Sequence, residues 1–129
     1  MALPFNLDLI RGRSGMFFVH PTLDLAMTYV QGVDAGCVGG FLVGFREWLI
    51  VRIDGGNNLF WTGLVKYALF PGSSDPAKDL DSCENQESKI NEFLDLLDSF
   101  WSERCEPNGI HEIYIRYQHW LKLKEAQWE

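Results

Sequence analysis

The chain has few cysteines and histidines, and neither residue type forms a recognisable ligand set. Its three cysteines are an odd number, lie far apart and include no CxxC pair, which argues against a disulfide framework and against a zinc site. Two of the three histidines, His111 and His119, are eight residues apart, whereas a helical zinc pair needs a spacing of four. The sequence therefore predicts no metal ion and no cofactor.

The sequence also lacks an uncharged apolar run long enough to span a bilayer. The glycine-rich stretch 32–45 is uncharged only from Ala35 to Phe45, and a spanning helix needs about 20 apolar residues. The first 15 residues lack the basic start and the small-residue cleavage site of a signal peptide. Dinucleotide-binding, P-loop and GxSxG motifs are absent as well. We therefore expect a cytoplasmic protein that neither crosses a membrane nor is an enzyme.

What the sequence does contain is strong helical periodicity. A hydrophobic content of 47% over 129 residues is enough for one packed domain spanning 1–129. Three stretches place an apolar residue at every position of a template that lines one helix face, i, i+3, i+4, i+7, i+10 and i+11. These stretches begin at Val38, Ile90 and Ile110, and two shorter matches begin at Leu23 and Trp61.

These patterns predict an all-α bundle of about five helices. The stretch near 38–52 is apolar on nearly all sides, so it is expected to be the central helix. The turn sequence EPNG at 106–109 predicts that the last two helices are antiparallel neighbours. Residues 1–20 are expected to form an extended segment, in which 16–20 could be a strand, and residues 71–88 an acidic surface loop.

The sequence predicts specific positions for two glycines in this bundle. Gly36 is expected to end the first helix in the left-handed conformation. Gly44 is expected inside the second helix, where glycine costs about 1 kcal/mol relative to alanine and so indicates another backbone close by.

Acidic residues are concentrated in one part of the chain. Between Asp75 and Glu106 there are ten acids and three bases, a net charge of −7, whereas the rest of the chain has eight of each and sums to zero. This uneven charge predicts a docking surface for a basic protein, although an acidic face can equally serve only to keep a protein soluble. The predicted partner-binding residues are Asp75, Asp79, Asp81, Glu84, Glu87, Glu92, Asp95, Asp98 and the C-terminal aromatic Trp128.

The same negative charge disfavours DNA or RNA as a direct ligand, because phosphates would be repelled. On the penultimate helix, Glu92, Asp95 and Asp98 point away from the apolar stripe and are expected to face solvent or a partner. An enzymatic alternative would place a site around Glu47 with Arg46 and His20, but no complete catalytic set accompanies them.

The stretch 40–71 resembles a segment of small bacterial proteins grouped with the immunity proteins of polymorphic toxin and contact-dependent inhibition systems. The matching residues are Gly44, Phe45, Arg46, Glu47, Trp48, Leu49, Asn58, Leu59, Trp61, Leu64, Val65, Phe70 and Pro71. The resemblance implies a small cytosolic protein that neutralises one cognate toxin, often a basic nuclease, by covering its active site. An acidic regulatory or adaptor module without a toxin partner is the alternative.

Overall fold

Every regular element in the described part of the chain is helical. The computed structural model describes residues 3–128, with the side chains of residues 3–127. A single 3₁₀ turn, Leu7–Ile10, precedes seven α-helices. The helices are α1 (Ser14–Phe17), α2 (Leu23–Gly36), α3 (Phe45–Ile53), α4 (Trp61–Leu69), α5 (Pro76–Asp81), α6 (Glu87–Arg104) and α7 (Gly109–Trp128). The all-α prediction is confirmed, with seven helices in residues 3–128 instead of about five.

The predicted central helix begins later than its apolar pattern suggested. Residues 37–44 form turns, and α3 runs only from Phe45 to Ile53. Gly44 precedes the helix with a φ of 91°. The prediction that it lies inside the helix is therefore wrong. It forms a left-handed bend that other residues adopt only with strain. Phe41 and Leu42 are nevertheless buried, because the turn lies against the core. The helical spacing of these residues arises without a helix.

The stop of α2 is also displaced from the predicted position. Gly36 remains helical, and Val38 takes the left-handed conformation, with a φ of 56°. The amide of Gly39 donates to the carbonyl of Asp34 at 2.8 Å, and the amide of Val38 donates to that of Ala35 at 3.0 Å. These two bonds form a Schellman motif in which valine occupies the position that glycine normally fills.

Two segments predicted to be irregular contain helices. In 71–88, Asp75 caps α5 by accepting a hydrogen bond from the amide of Lys78 at 3.2 Å, and Pro76 occupies the first turn. Cap, proline and the buried Leu80 provide the start signals and the core contact that a short helix needs. The N-terminal segment is not an extended strip either. It folds into the 3₁₀ turn and α1, and Leu3, Leu7 and Ile10 are buried in the core.

The core is organised around α3, which packs most extensively against α4 and α7. The ring of Phe45 lies 5.7 Å from that of Trp61 on α4 and 5.0 Å from that of Phe100 on α6. The predicted neighbours α6 and α7 do contact each other, but α7 contacts α3 more extensively. No helix within residues 3–128 combines the length and apolar character needed to cross a bilayer.

Candidate functional site

The first group of predicted acidic residues lies on α5 and on the connection to α6. Five acids and one base occupy residues 75–87, giving this short stretch a net charge of −4. We call these acids the acidic surface: Asp75, Asp79, Asp81, Glu84 and Glu87. The side chain of Gln86 fixes the connection, because it accepts from the amide of Leu23 at 2.8 Å and donates to the carbonyl of Leu80 at 3.1 Å.

Members of the acidic surface differ in what they bind within the protein. Asp75 caps α5, and Asp79 accepts a hydrogen bond from the hydroxyl of Ser73. Glu87 is half-buried and accepts from the hydroxyl of Ser14 at 3.3 Å. Asp81 and Glu84 are exposed and form neither a hydrogen bond nor an ion pair with the described residues. These two carboxylates are therefore the ones most free to meet a partner.

The acids of α6 do not form the open docking face that their spacing predicted. Glu92 is exposed but pairs with Lys89 at 2.9 Å, and Asp95 is exposed but pairs with Arg11. Asp98 is half-buried, and its Oδ1 atom is buried without a hydrogen-bond partner among the described residues. The prediction that all three point freely into solvent or toward a partner is therefore wrong for Asp98 and incomplete for the other two.

The cause of this difference is the N-terminal segment, which crosses α6. The guanidinium of Arg11 reaches Asp95 and also donates to the carbonyl of Asn91, and the amide of Gly12 donates to the Oδ1 of Asn91 at 3.0 Å. These contacts join residues about 80 positions apart in sequence. Local periodicity carries no information about such a contact, so the engagement of this part of α6 could not be predicted.

A cleft of about 510 Å³ lies between residues 84–87 and residues 14–22. Glu84 and Glu87 line one side of the cleft, and Gly15, His20 and Thr22 line the other. Two carboxylates and an exposed imidazole therefore border the same concave surface. A positively charged side chain entering the cleft would meet acceptors on the side of α6.

Next to this cleft lies an apolar patch that sequence reasoning missed. Met16 is 83% exposed, Phe17 42% and Val19 92%, and these three residues are the apolar patch. Met16 and Val19 directly adjoin, in sequence, the cleft residues Gly15 and His20. The only signal was the apolar run GMFFV itself, whose spacing fits neither a helix face nor an alternating strand. Exposed apolar groups beside a polar rim are typical of protein interfaces.

The residues of the enzymatic alternative are not brought together. The guanidinium of Arg46 donates to the carbonyl of Leu59 at 2.9 Å and to that of Asn57, whereas His20 lies in the cleft beside α6. Through its two hydrogen bonds, Arg46 holds the connection between α3 and α4.

Glu47, the other residue of this alternative, is half-buried near Tyr114. Burial raises the pKa of the Tyr114 hydroxyl, and repulsion from Glu47 raises it further.

Three residues singled out in the sequence, Trp128, His111 and His119, lie on α7. The side chain of Trp128 lies outside the described residues, and only its backbone is placed, at the end of α7. His111 and His119 are exposed on α7. Within the described part of the chain, no three histidine, cysteine or acidic residues are grouped as metal ligands would be.

Comparisons of the chain with protein-family models, with curated protein sequences and with solved structures find no match. The functional conclusion therefore depends on the geometry and charge of the residues described above.

Proposed function

We propose that the protein is a binding protein that engages one basic protein partner through the acidic surface and the apolar patch. The observation that carries this proposal is a cleft lined on one side by Glu84, an exposed carboxylate without a partner among the described residues. Residues on its other side adjoin, in sequence, the strongly exposed Met16 and Val19. Asp81, three residues before Glu84, is a second exposed carboxylate without a described partner. Burial of the apolar side chains would supply affinity, and the carboxylates would supply orientation and fast encounter.

The charge distribution supports a basic partner over a nucleic acid or an acidic one. The whole net charge of −7 is contributed by residues 75–106, and the stretch 75–87 that holds the acidic surface accounts for −4 of it. Such a field accelerates association with a positively charged protein and weakens as salt screens it. The apolar patch would resist salt, because burial of apolar surface does not depend on screening.

The more specific form of this proposal is toxin neutralisation. It depends on the resemblance of residues 40–71 to immunity proteins, with the acidic surface covering the active site of a basic, nuclease-like toxin. The second candidate is a regulatory or adaptor module that uses the same surface and has no toxin partner. Both functions need the same binding surface, and they differ in what the free partner does.

The test is a parallel capture experiment with three forms of the protein and lysate of the source organism. The first form is unaltered, and the second carries Asp81→Lys and Glu84→Lys. The third carries Glu112→Lys and Glu125→Lys, which change the net charge equally but lie exposed on α7. We expect the unaltered and α7 forms to retain one basic protein in a one-to-one ratio, and the Asp81/Glu84 form to lose it.

Equal retention by all three forms would contradict the proposal, as would the absence of any basic protein bound at a fixed ratio. The captured partner then separates the two candidate functions. If it stops growth when produced alone, and growth returns when the protein is produced with it, neutralisation is supported. If it has no effect on growth, the adaptor function is supported.

A further inference from the structure

A second cavity is lined by none of the acids of the acidic surface. It has a volume of about 610 Å³ and lies where the end of α3 and the connection to α4 face the end of α4 and Gly72. This volume falls within the range of small-molecule sites in proteins. Its walls combine apolar and polar side chains: Ile53, Leu59 and Ala68, together with Arg52, Asn58 and Tyr67.

Arg52 is the one charged residue that lines this cavity, and no carboxylate lines it. Arg52 also forms no hydrogen bond with a described residue, whereas Arg46 and Arg104 donate to backbone carbonyls. Arg52 also lines two smaller cavities, of about 190 and 230 Å³. The carboxylates that line these smaller cavities are each paired with another base, Glu92 with Lys89, Asp95 with Arg11 and Glu103 with Arg116.

The guanidinium of Arg52 forms no ion pair with a described residue. Its central carbon lies over the Trp48 ring, 5.0 Å from the ring centre, and Trp48 is itself buried and donates its indole N–H to Glu103. A guanidinium over an aromatic ring keeps N–H donors that can bind an anion. Those donors have the geometry that binds a carboxylate with two hydrogen bonds.

Gly56 also lines the cavity, and a larger residue does not fit at this position. Gly56 has a φ of 78°, and a Cβ atom on it would lie 2.5 Å from the Cδ2 atom of Leu64. A larger residue would be strained and would displace a leucine of the core.

We propose that this cavity binds a small organic monoanion, with its carboxylate on Arg52 and its apolar body against Ile53, Leu59 and Ala68. One guanidinium neutralises one negative charge, and the net charge of −7 opposes a second, so a carboxylate fits better than a phosphate dianion. The hydroxyl of Tyr67 and the amide of Asn58 provide further hydrogen-bonding groups at the rim. This inference is independent of the proposed protein partner.

The test uses 4-phenylbutyrate as the probe and 4-phenylbutan-1-ol as its uncharged counterpart, each titrated into the ¹⁵N-labelled full chain. We expect 4-phenylbutyrate to give saturable shifts of the amide signals of Gly55, Gly56 and Gly72. The alcohol should bind about tenfold or more weakly, because a hydrogen-bonded charge is missing. Since this comparison uses the unaltered protein, it does not depend on whether a variant folds.

Two arginine variants then assign the carboxylate contact. Arg52→Gln should lower the affinity for 4-phenylbutyrate about tenfold and bring it close to that of the alcohol. Arg13→Gln, an exposed arginine outside the cavity, should leave the affinity unchanged. The proposal is overturned if 4-phenylbutyrate causes no saturable shifts, if the alcohol binds equally well, or if both variants weaken binding to the same extent.

Discussion

At the scale of single residues, a few polar contacts join helices that are distant in sequence. Asp54, at the end of α3, accepts a hydrogen bond from the indole of Trp120 at 2.7 Å and pairs with Lys124 at 3.0 Å. The hydrogen bond from Trp120, with help from Lys124, lowers the pKa of Asp54 below its ordinary value of 3.8. This residue therefore attaches the C-terminal half of α7 to α3 as long as it is ionised.

The lowered pKa of Asp54 predicts a specific dependence of stability on pH. A carboxyl group whose pKa is lower in the folded state stabilises the fold above its unfolded pKa, and the effect disappears as pH falls through the folded pKa. Asp54→Asn should therefore lower the thermal midpoint at neutral pH, and the difference should shrink as the pH is taken from about 7 to about 2. Asparagine tolerates the left-handed backbone at this position, which has a φ of 57°.

The matched control for this series is Asp81→Asn, since Asp81 is exposed and has no ionic partner among the described residues. Its thermal midpoint should not fall below that of the unaltered protein at neutral pH. A constant difference between Asp54→Asn and the unaltered protein across the whole range would show that the charge of Asp54 contributes nothing.

Two glycines that look alike in sequence should respond oppositely to alanine. Gly44 has a φ of 91°, and a Cβ atom there would touch Ile113 and Phe100 at 3.6 and 3.7 Å. Gly32 lies within α2, and nothing lies within 4 Å of a Cβ placed on it. Gly44→Ala should destabilise the protein by about 1–2 kcal/mol, and Gly32→Ala should stabilise it by about 0.5–1 kcal/mol. Urea unfolding of both variants measures these changes, and equal effects would contradict the assignment.

At the scale of helices, periodicity predicted the buried faces better than the boundaries. The apolar stripe of α6 from Ile90 to Phe100 is buried at every template position. For the apolar stripe that starts at Val38, the predicted burial of the first residue is wrong. Val38 is 97% exposed, because the chain forms a turn there and not a helix. An apolar pattern indicates which residues are buried. A turn packed against the core can have the same spacing of apolar residues as a helix.

The acidic residues show the same limit for the candidate site. Composition was sufficient to predict an acidic region, and the exposure of Asp81 and Glu84 agrees with that prediction. The pairing of Asp95 with Arg11 and the cavity beside Arg52 could not be predicted, because both arise from contacts between separate elements. The apolar patch escaped prediction because exposure of Met16 and Val19 depends on how α1 ends, which is a matter of tertiary packing.

The end of α2 offers a test at this scale. Val38 occupies the left-handed position of the Schellman motif and is almost fully exposed, so it has the conformational cost without a packing gain. Val38→Gly should therefore stabilise the protein by about 1 kcal/mol, as measured by urea unfolding. Val43→Gly is a comparison at another exposed valine of the same turn region, which lacks positive φ, and it should not stabilise. Destabilisation by Val38→Gly would show that the valine makes a contact absent from this description.

At the scale of the whole molecule, acidic charge is concentrated in one part of the chain. The net charge of −7 comes from one quarter of the sequence, residues 75–106. The apolar patch adjoins, in sequence, residues that share a cleft with Glu84 and Glu87. The Arg52 cavity is lined by no acid. The two proposed binding functions therefore use chemically opposite parts of the same surface.

If Asp81 and Glu84 serve binding, their replacement should not harm the fold. Asp81 ends α5, where a negative charge is unfavourable, and both Asp81 and Glu84 lie among like charges. The variant with Asp81→Lys and Glu84→Lys should therefore keep its stability within about 0.5 kcal/mol or gain slightly, as judged from the urea midpoint. A loss of more than about 2 kcal/mol would indicate that these acids are structural.

The central claim is that the acidic surface recruits a basic protein, and the salt dependence of the association rate tests it most directly. The partner captured by the unaltered protein would be mixed with it by stopped flow at ionic strengths from about 0.05 to about 0.5 M. We predict a rate that falls steeply with salt, and a slower, nearly salt-independent rate for the variant with Asp81→Lys and Glu84→Lys. A rate that is insensitive to salt, and equal in the two proteins, would contradict the account.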